Sequence, residues 1–426
     1  MLNVSNVAAP PQGSTLGSIA EFSSTLENGQ NLSDYERQML MLAAARRLLP
    51  GERIAQCQWL IAPEKHMVEI EVDDHKEGAR FKNLVRCESS SCNWCARARS
   101  EQDRHELSIA IAQAEKLGWY PVLLTFTLSH HVTDSLTDLE RALRKSFDRM
   151  FSGRWYQDFK DEWGMVGKIT AKETTRGVNG WHPHLHVLAF FDRDYDPLYL
   201  MAMHAALSRR WTEKVKSSGF NASNAHGVDV RNGKSEIASY IAKWGREPVE
   251  YSWSAEHEMT MSVYKKPKLG GVTPFQLLGA AAGLLDDLTA VSQVMAGNAA
   301  NVRIKASAAY CEYFRAMKGK ARIHWGDMWR LLEMEAALTD FEHENPPKEA
   351  DTWVMFVCPR GDIWTYLRGA KTGVDLRGDL LAVCATRDAW QVRSWLLKHN
   401  IVGGIPPGAF ERSLKWIEVS NESEVM

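Results

Sequence analysis

GMVGKITAKETTRGVNGWHPHLHVLAFF, residues 164–191, is the stretch on which the fold turns. Its two ends, GMVGKITAKE (164–173) and HPHLHVLAFF (182–191), are rich in aliphatic, β-branched and aromatic residues. TTRGVNG between them is turn-forming, so the pattern predicts an antiparallel hairpin. Side chains alternate faces along a strand, which points His182, His184 and His186 to one side. Neutral imidazoles so arranged can hold a divalent metal with a position left open for a phosphate oxygen. Pro183 cannot donate to a ladder, so His182 is expected at a strand start or on an edge, and His184 and His186 are the better ligands. With the turn near 174–181, Glu173 ends the neighbouring strand within reach of the histidine face. As a third, harder ligand it is preferred over His182 and favours Mn or Mg. His130 and His131 are further candidates. Hydrogen-bonded histidines without metal are the plain alternative.

Outward from the hairpin, PVLLTFTL (121–128) reads as a strand and LTDLERALRKSFDRMFSG (136–153) as a helix. After Pro197 come a second helix, LYLMAMHAALSRRWTEKV, a short strand GVDVR (227–231), and a helix from about 235 to 244. The order β-α-β-β-α-β-α is the split βαβ pattern of ferredoxin-like and RNA-recognition-like antiparallel sheets, so the fold class is α+β. Fold alone does not assign function. On the last helix Glu236 and Tyr240 are four residues apart and Lys243 lies three further on, so all three share a face. A tyrosine oxygen can attack a phosphodiester beside a metal, and a carboxylate one turn away can activate water. Alone, such a trio is usually a surface ion pair beside a packed tyrosine; its place after the histidine strand sets it apart.

The flanks divide the chain further. Residues 1–32 read as a disordered tail. Residues 33–117 read as a capped helix followed by a Cys-rich subdomain, and 118–248 as the domain just described. A helical domain is expected over 249–345 and a small α+β domain over 346–426, with FEHENPPKEAD (341–351) as linker. Cys57, Cys87, Cys92 and Cys95 could close a tetrahedral structural zinc site; buried unrelated thiols or a redox pair are the alternatives. Cys311, Cys358 and Cys384 read as small buried apolar residues.

A net charge of −2 and a pI near 6.7 do not mark a nucleic-acid binder. Locally, Arg141, Arg144, Lys145 and Arg149 form a basic helix face suited to DNA, although a solvated face carries the same pattern. Arg209, Arg210, Lys214 and Lys216 follow on a second helix. The absence of a long apolar run or a basic-then-apolar leader predicts a cytoplasmic protein without a membrane partner.

LTFTLSHHVTDSL, GWHPHLHVL and SEIASYIAKWG resemble, in order and spacing, the three motifs of HUH-superfamily rolling-circle plasmid replication initiators, in the branch with one tyrosine and a nearby glutamate. The resemblance covers roughly residues 50–330, taking in CESSSCNWCARAR, KKPKLGGVTPFQLL and AAYCEYFRAMKGKARIHW. It implies an HUH nuclease fold and a metal-dependent nickase that cuts single-stranded or hairpin origin DNA. Tyr240 would hold the 5′-phosphate, His184 and His186 the metal, Glu236 would promote terminating hydrolysis, and Lys243 would contact phosphate. Host helicase and polymerase are implied partners, and an oligomer is possible. Conjugative relaxases place their tyrosine before the histidines, unlike this chain. A single-tyrosine HUH transposase is the nearest enzymatic alternative, and a non-catalytic, zinc-stabilised DNA-binding regulator the alternative of another class.

Overall fold

A computed structural model describes residues 24–25, 31–73, 78–232, 270–334, 352–359, 361–369 and 375–414. After a two-residue ribbon of β1 (Ser24–Thr25) and β2 (Asn31–Leu32) comes helix α1 (Asp34–Leu48), whose N-terminus is closed by a reciprocal Ser33/Glu36 capping box. Strands β3 (Met67–Asp73) and β4 (Ala79–Lys82) and helix α2 (Asn93–Lys116) follow.

The central unit comprises β5 (Tyr120–Thr127), α3 (Leu136–Met150), α4 (Gly153–Trp163), β6 (Met165–Gly177), β7 (Gly180–Phe191), α5 (Pro197–Lys216) and β8 (Val228–Asn232). Its sheet has the order β8-β5-β7-β6-β9, with β9 the short strand Ile323–His324, and every neighbouring pair is antiparallel. Strands β5 and β6, joined by the helical crossover, flank β7, which is the split βαβ connection. The expected single helix over 136–153 is two helices, broken where Gly153 takes a positive φ of 73°.

Each face of this sheet is covered differently. Val122, Leu124, Phe126, Val187 and Ala189 face α3 and α5, where Phe126 meets Phe147, Phe151 and Trp211 at ring separations of 5.1–5.8 Å. The Trp211 indole also donates to the carbonyl of Thr127 at 2.6 Å, fixing α5 to the end of β5. The alternate residues Leu123, Ile169, Ala171, Leu188 and Phe190 form a second face, covered by Leu107, Ala110, Ile111 and Ala114 of the C-terminal half of α2.

The divisions expected at the flanks differ from those observed. β3 does not stay within a Cys-rich subdomain. It pairs with β4 on one side and, on the other, with β10 (Thr352–Pro359), from the region expected to stand apart after residue 346. Val68, Ile70 and Val72 are buried there with Trp353, Met355 and Phe356. Likewise α1 shares its core with helices Pro274–Ala282 and Ala299–Met317, and Arg37 pairs with the buried Asp287 at 2.6 Å. Strand pairing across nearly 300 residues leaves no periodic trace in either segment. Among the described residues, no helix is long and apolar enough to cross a membrane. The expected linker at 341–351 lies outside the described residues.

Candidate functional site

The hairpin runs further than its sequence suggests. β6 and β7 pair without a break from Gly167↔Phe190 to Gly177↔Gly180, so the turn is tight and Glu173 sits within the ladder, not at its end. In that register Glu173 lies directly opposite His184 and one step diagonal to His186, whose own partner is Ala171. His184 Nε2 and His186 Nε2 each lie 2.8 Å from the same carboxylate oxygen, Oε2 of Glu173. These residues continue the face of Leu188 and Phe190 toward the hairpin tip. Glu173 and His186 are buried and His184 is half-buried.

The three ligand atoms lie within 4.8 Å of one another. Bonds of about 2.1 Å at right angles separate neighbouring ligand atoms by roughly 3 Å, so this donor set fits one divalent cation on a shared face, with its other positions open. Burial alone would push the Glu173 carboxyl up, but the charge and hydrogen bonds of His184 and His186 outweigh it and hold the group well below the usual carboxylate range. The carboxylate is therefore ionised, as a metal ligand would need to be.

β5 supplies contacts that the sequence reading missed. Thr125 Oγ1 lies 3.1 Å from His186 Nδ1, the ring nitrogen opposite the one facing Glu173. This contact fixes the ring's orientation and leaves Nε2 directed at the site. The signal was the alternation of Thr125 and Thr127 in a strand otherwise apolar on that segment.

His182 points to the same side but is not brought into the trio. Its Nδ1 lies 2.8 Å from His130 Nε2, while His130 Nδ1 lies 3.0 Å from the carbonyl oxygen of Asn179. A carbonyl only accepts, so His130 donates from Nδ1, and its Nε2 shares a hydrogen bond with His182 Nδ1. Burial, then the charges of His184 and His130, pull His182 down to about 4, so it is neutral at physiological pH. Pro183 is tolerated in the central strand because β5 has its last pair at Thr127↔His184, leaving Pro183 a neighbour on one side only. His131 is exposed, its backbone N–H donating to Asp134, and takes no part in the trio.

Gly180 holds this corner together. Its φ is 96°, and a Cβ there would stand 2.9 Å from Val132 Cα and 3.0 Å from the His131 carbonyl oxygen. Gly180→Ala is expected to cost about 1–3 kcal/mol through backbone strain and the clash with the His131–Val132 backbone. Urea denaturation measures this, and an unchanged midpoint would contradict the close approach.

The four cysteines assemble as the sequence spacing suggests. Cys57 ends a 3₁₀ turn, Cys87 lies in the facing loop, Cys92 caps α2 and Cys95 sits in its first turn. All are buried free thiols, with Sγ separations of 3.5 Å (Cys57–Cys95), 3.7 Å (Cys57–Cys92) and 3.8 Å (Cys87–Cys95). A tetrahedron with Zn–S bonds of about 2.3 Å has edges of roughly 3.8 Å, so the set fits zinc and is far too open for disulfides. Gln58 and Glu88, each directly after a cysteine, adopt positive φ of 53° and 58°, turning the backbone at both knuckles. Gln58 N–H donates to Val85 O and Val85 N–H to Leu60 O, tying the knuckles together. Burial pushes the Cys92 thiol up, while hydrogen bonds from Cys57, Cys87 and Cys92 pull Cys95 down; only a bound dication would let all four ionise together in this enclosure.

The basic residues expected on α3 are not gathered at the trio. Arg141, Arg144, Lys145 and Arg149 are exposed on α3, which covers the opposite face of the sheet. Arg141 pairs with Asp138 at 2.7 Å, Arg144 with Asp148 at 3.5 Å, and Arg149 bonds Ser217 Oγ at 3.0 Å. Glu236, Tyr240 and Lys243 lie outside the described residues.

Comparison with known proteins adds an independent line. Residues 78–247 match a family profile described as "Replication protein". The chain is 27% identical over 285 residues to "Protein rep" of Streptomyces lividans, covering 55% of this chain and 60% of that protein. It is also 27% identical over 122 residues to a "Neomycin resistance protein" of Streptomyces cyanogenus, covering 23% of this chain and 28% of that one. The chain thus spans less than two thirds of the length of either relative. No solved structure matches it.

Proposed function

We propose that this chain, whose residues 78–247 match a replication-protein family, initiates plasmid replication by nicking and rejoining single-stranded origin DNA. The observation that carries the reading is the convergence of Glu173, His184 and His186 on one point of the central sheet, inside the matched segment. These three would hold a divalent cation, which would polarise the scissile phosphate. The Tyr240 phenol oxygen attacks phosphorus, the bond to the 3′ oxygen breaks, and the 5′-phosphate stays on the tyrosine while a 3′-OH is released for extension. Glu236 on the same predicted face directs water at the phosphotyrosine to end the cycle, and Lys243 offsets phosphate charge. The buried cysteines would hold zinc and so anchor the N-terminus of α2, whose other half covers the face of the sheet that carries the trio.

The test is incubation of the full chain with a labelled origin oligonucleotide and Mn or Mg, followed by a denaturing gel. Wild type is expected to form a covalent protein–DNA adduct, and Tyr240→Phe to lose adduct and cleavage by at least about 10³-fold while still binding DNA. Equal cleavage by the two proteins would remove Tyr240 as nucleophile. DNA binding with no cleavage by wild type would favour a regulator instead.

A further inference from the structure

Two residues beyond Cys57, the half-buried Trp59 is surrounded by guanidinium groups: the Cζ atoms of Arg46, Arg368 and Arg377 lie 3.8, 4.7 and 5.6 Å from its ring centroid. Three cations gather on one indole, and their only carboxylate partner among the described residues is Asp375. That carboxylate is fully engaged by Arg377, whose Nε and Nη2 donate to it at 2.9 and 2.5 Å, while Arg377 Nη1 donates to the Gln58 carbonyl. Arg46 donates from Nε to Ala55 O at 2.9 Å and Arg368 from Nη1 to Trp59 O at 3.0 Å, both neutral carbonyls. Arg368 Nε is buried and, among the described residues, has no hydrogen-bond acceptor; the nearby Tyr35 hydroxyl, beside Arg377 and Asp375, is also buried and unpartnered.

Cation–π contact with one ring does not neutralise three charges, and buried or half-buried guanidiniums are ordinarily paired. Burial first, and then the charges of Arg377 and Arg368, pull Arg46 down to about 10, with Asp375 and Cys57 offsetting part of the effect. Guanidinium donors left open beside an aromatic ring match the tetrahedral oxygens of a phosphoryl group. We propose that Arg46 and Arg368 form, against Trp59, a binding site for a phosphate-type oxyanion between the four-cysteine cluster and the β10-β3-β4 unit. Its occupancy ties α1, the Cys57 knuckle and the Asp362–Leu367 helix to one another, since each supplies or adjoins a contacting group. This site is independent of the nicking reading, because occupancy requires no cleavage.

Equilibrium dialysis of the full chain against radiolabelled inorganic phosphate at fixed ionic strength tests it. Wild type is expected to bind saturably at one site, with affinity lowered about tenfold or more in Arg46→Gln and Arg368→Gln at unchanged zinc content. Displacement of the phosphate by a single-stranded oligonucleotide would identify the natural ligand as a DNA backbone phosphate, and retention would identify a free phosphate or nucleotide; both uphold the site. No saturable binding by wild type, or equal binding by wild type and both variants, overturns it. Arg368 also braces the Trp59 carbonyl, so if its variant fails to fold, Arg46→Gln decides the outcome, since among the described residues Arg46 makes no hydrogen bond to the C-terminal unit.

Discussion

Cys95→Ser, or exhaustive treatment with a zinc chelator, is expected to remove one zinc per chain and lower the melting temperature by roughly 10 °C or more. Structural tetrathiolate sites contribute apparent binding free energies of about 10–16 kcal/mol in small zinc-binding peptides, and that energy is lost with the metal. The cysteines here lie in the same core as α1 and helix Ala299–Met317, so the loss would not stay local. Tyr310 of that helix donates its hydroxyl to Ser91 O, one residue before Cys92, and Asn93 donates to Gln38 of α1. Release of the knuckles would free the N-terminus of α2 and loosen its cover over Leu188 and Phe190. Circular dichroism melts with parallel elemental analysis measure both effects. A Cys95→Ser protein that retains its metal and melts like wild type would remove the zinc assignment.

Glu173→Gln is expected to abolish metal-dependent cleavage, by about 10²–10⁴-fold, with little effect on the fold. The amide keeps the carboxylate's shape within the β6–β7 ladder but removes the only negative charge in the trio, which is the harder ligand for Mn or Mg. Thr125→Val should be milder, weakening metal affinity by about tenfold or somewhat more, because it leaves all three donors and removes only the contact that orients His186. Calorimetric titration with Mn, beside cleavage assays at saturating metal, separates the two. Excess Mn should restore much of the Thr125→Val activity and little of the Glu173→Gln activity. Metal binding by Glu173→Gln equal to wild type would mean that the carboxylate is not a ligand and that the histidines act otherwise.

Local sequence pattern carried the central unit well. Alternating apolar residues in 164–191 specify a hairpin, and period-two placement puts the histidines on one face whatever the rest of the chain does, because strand geometry leaves no other choice. The cysteine set was legible for a similar reason: thiols at knuckle spacing have few buried fates.

Much else could not be read locally. Whether Glu173 ends a strand or faces His184 depends on where the turn closes, and that is decided by the tight Gly177–Gly180 pair and the packing of Gly180 against His131 and Val132. Pro183 already marked His182 as the weaker ligand in sequence, but only the fold shows that His130, 52 residues away, takes its ring into a separate hydrogen bond. The basic face of α3 was plain in the sequence, but only packing shows that it lies across the sheet from the trio.

By itself the sequence determined the periodicities, the α+β class and the kinds of ligand available, since these depend on backbone geometry within a few residues. Tertiary structure alone decided which ligands meet, which strands from opposite ends of the chain share the β10-β3-β4 sheet, and that three arginines converge on Trp59. Those outcomes rest on contacts between segments up to some 300 residues apart, fixed by burial and register over the whole molecule and encoded in no single stretch of it.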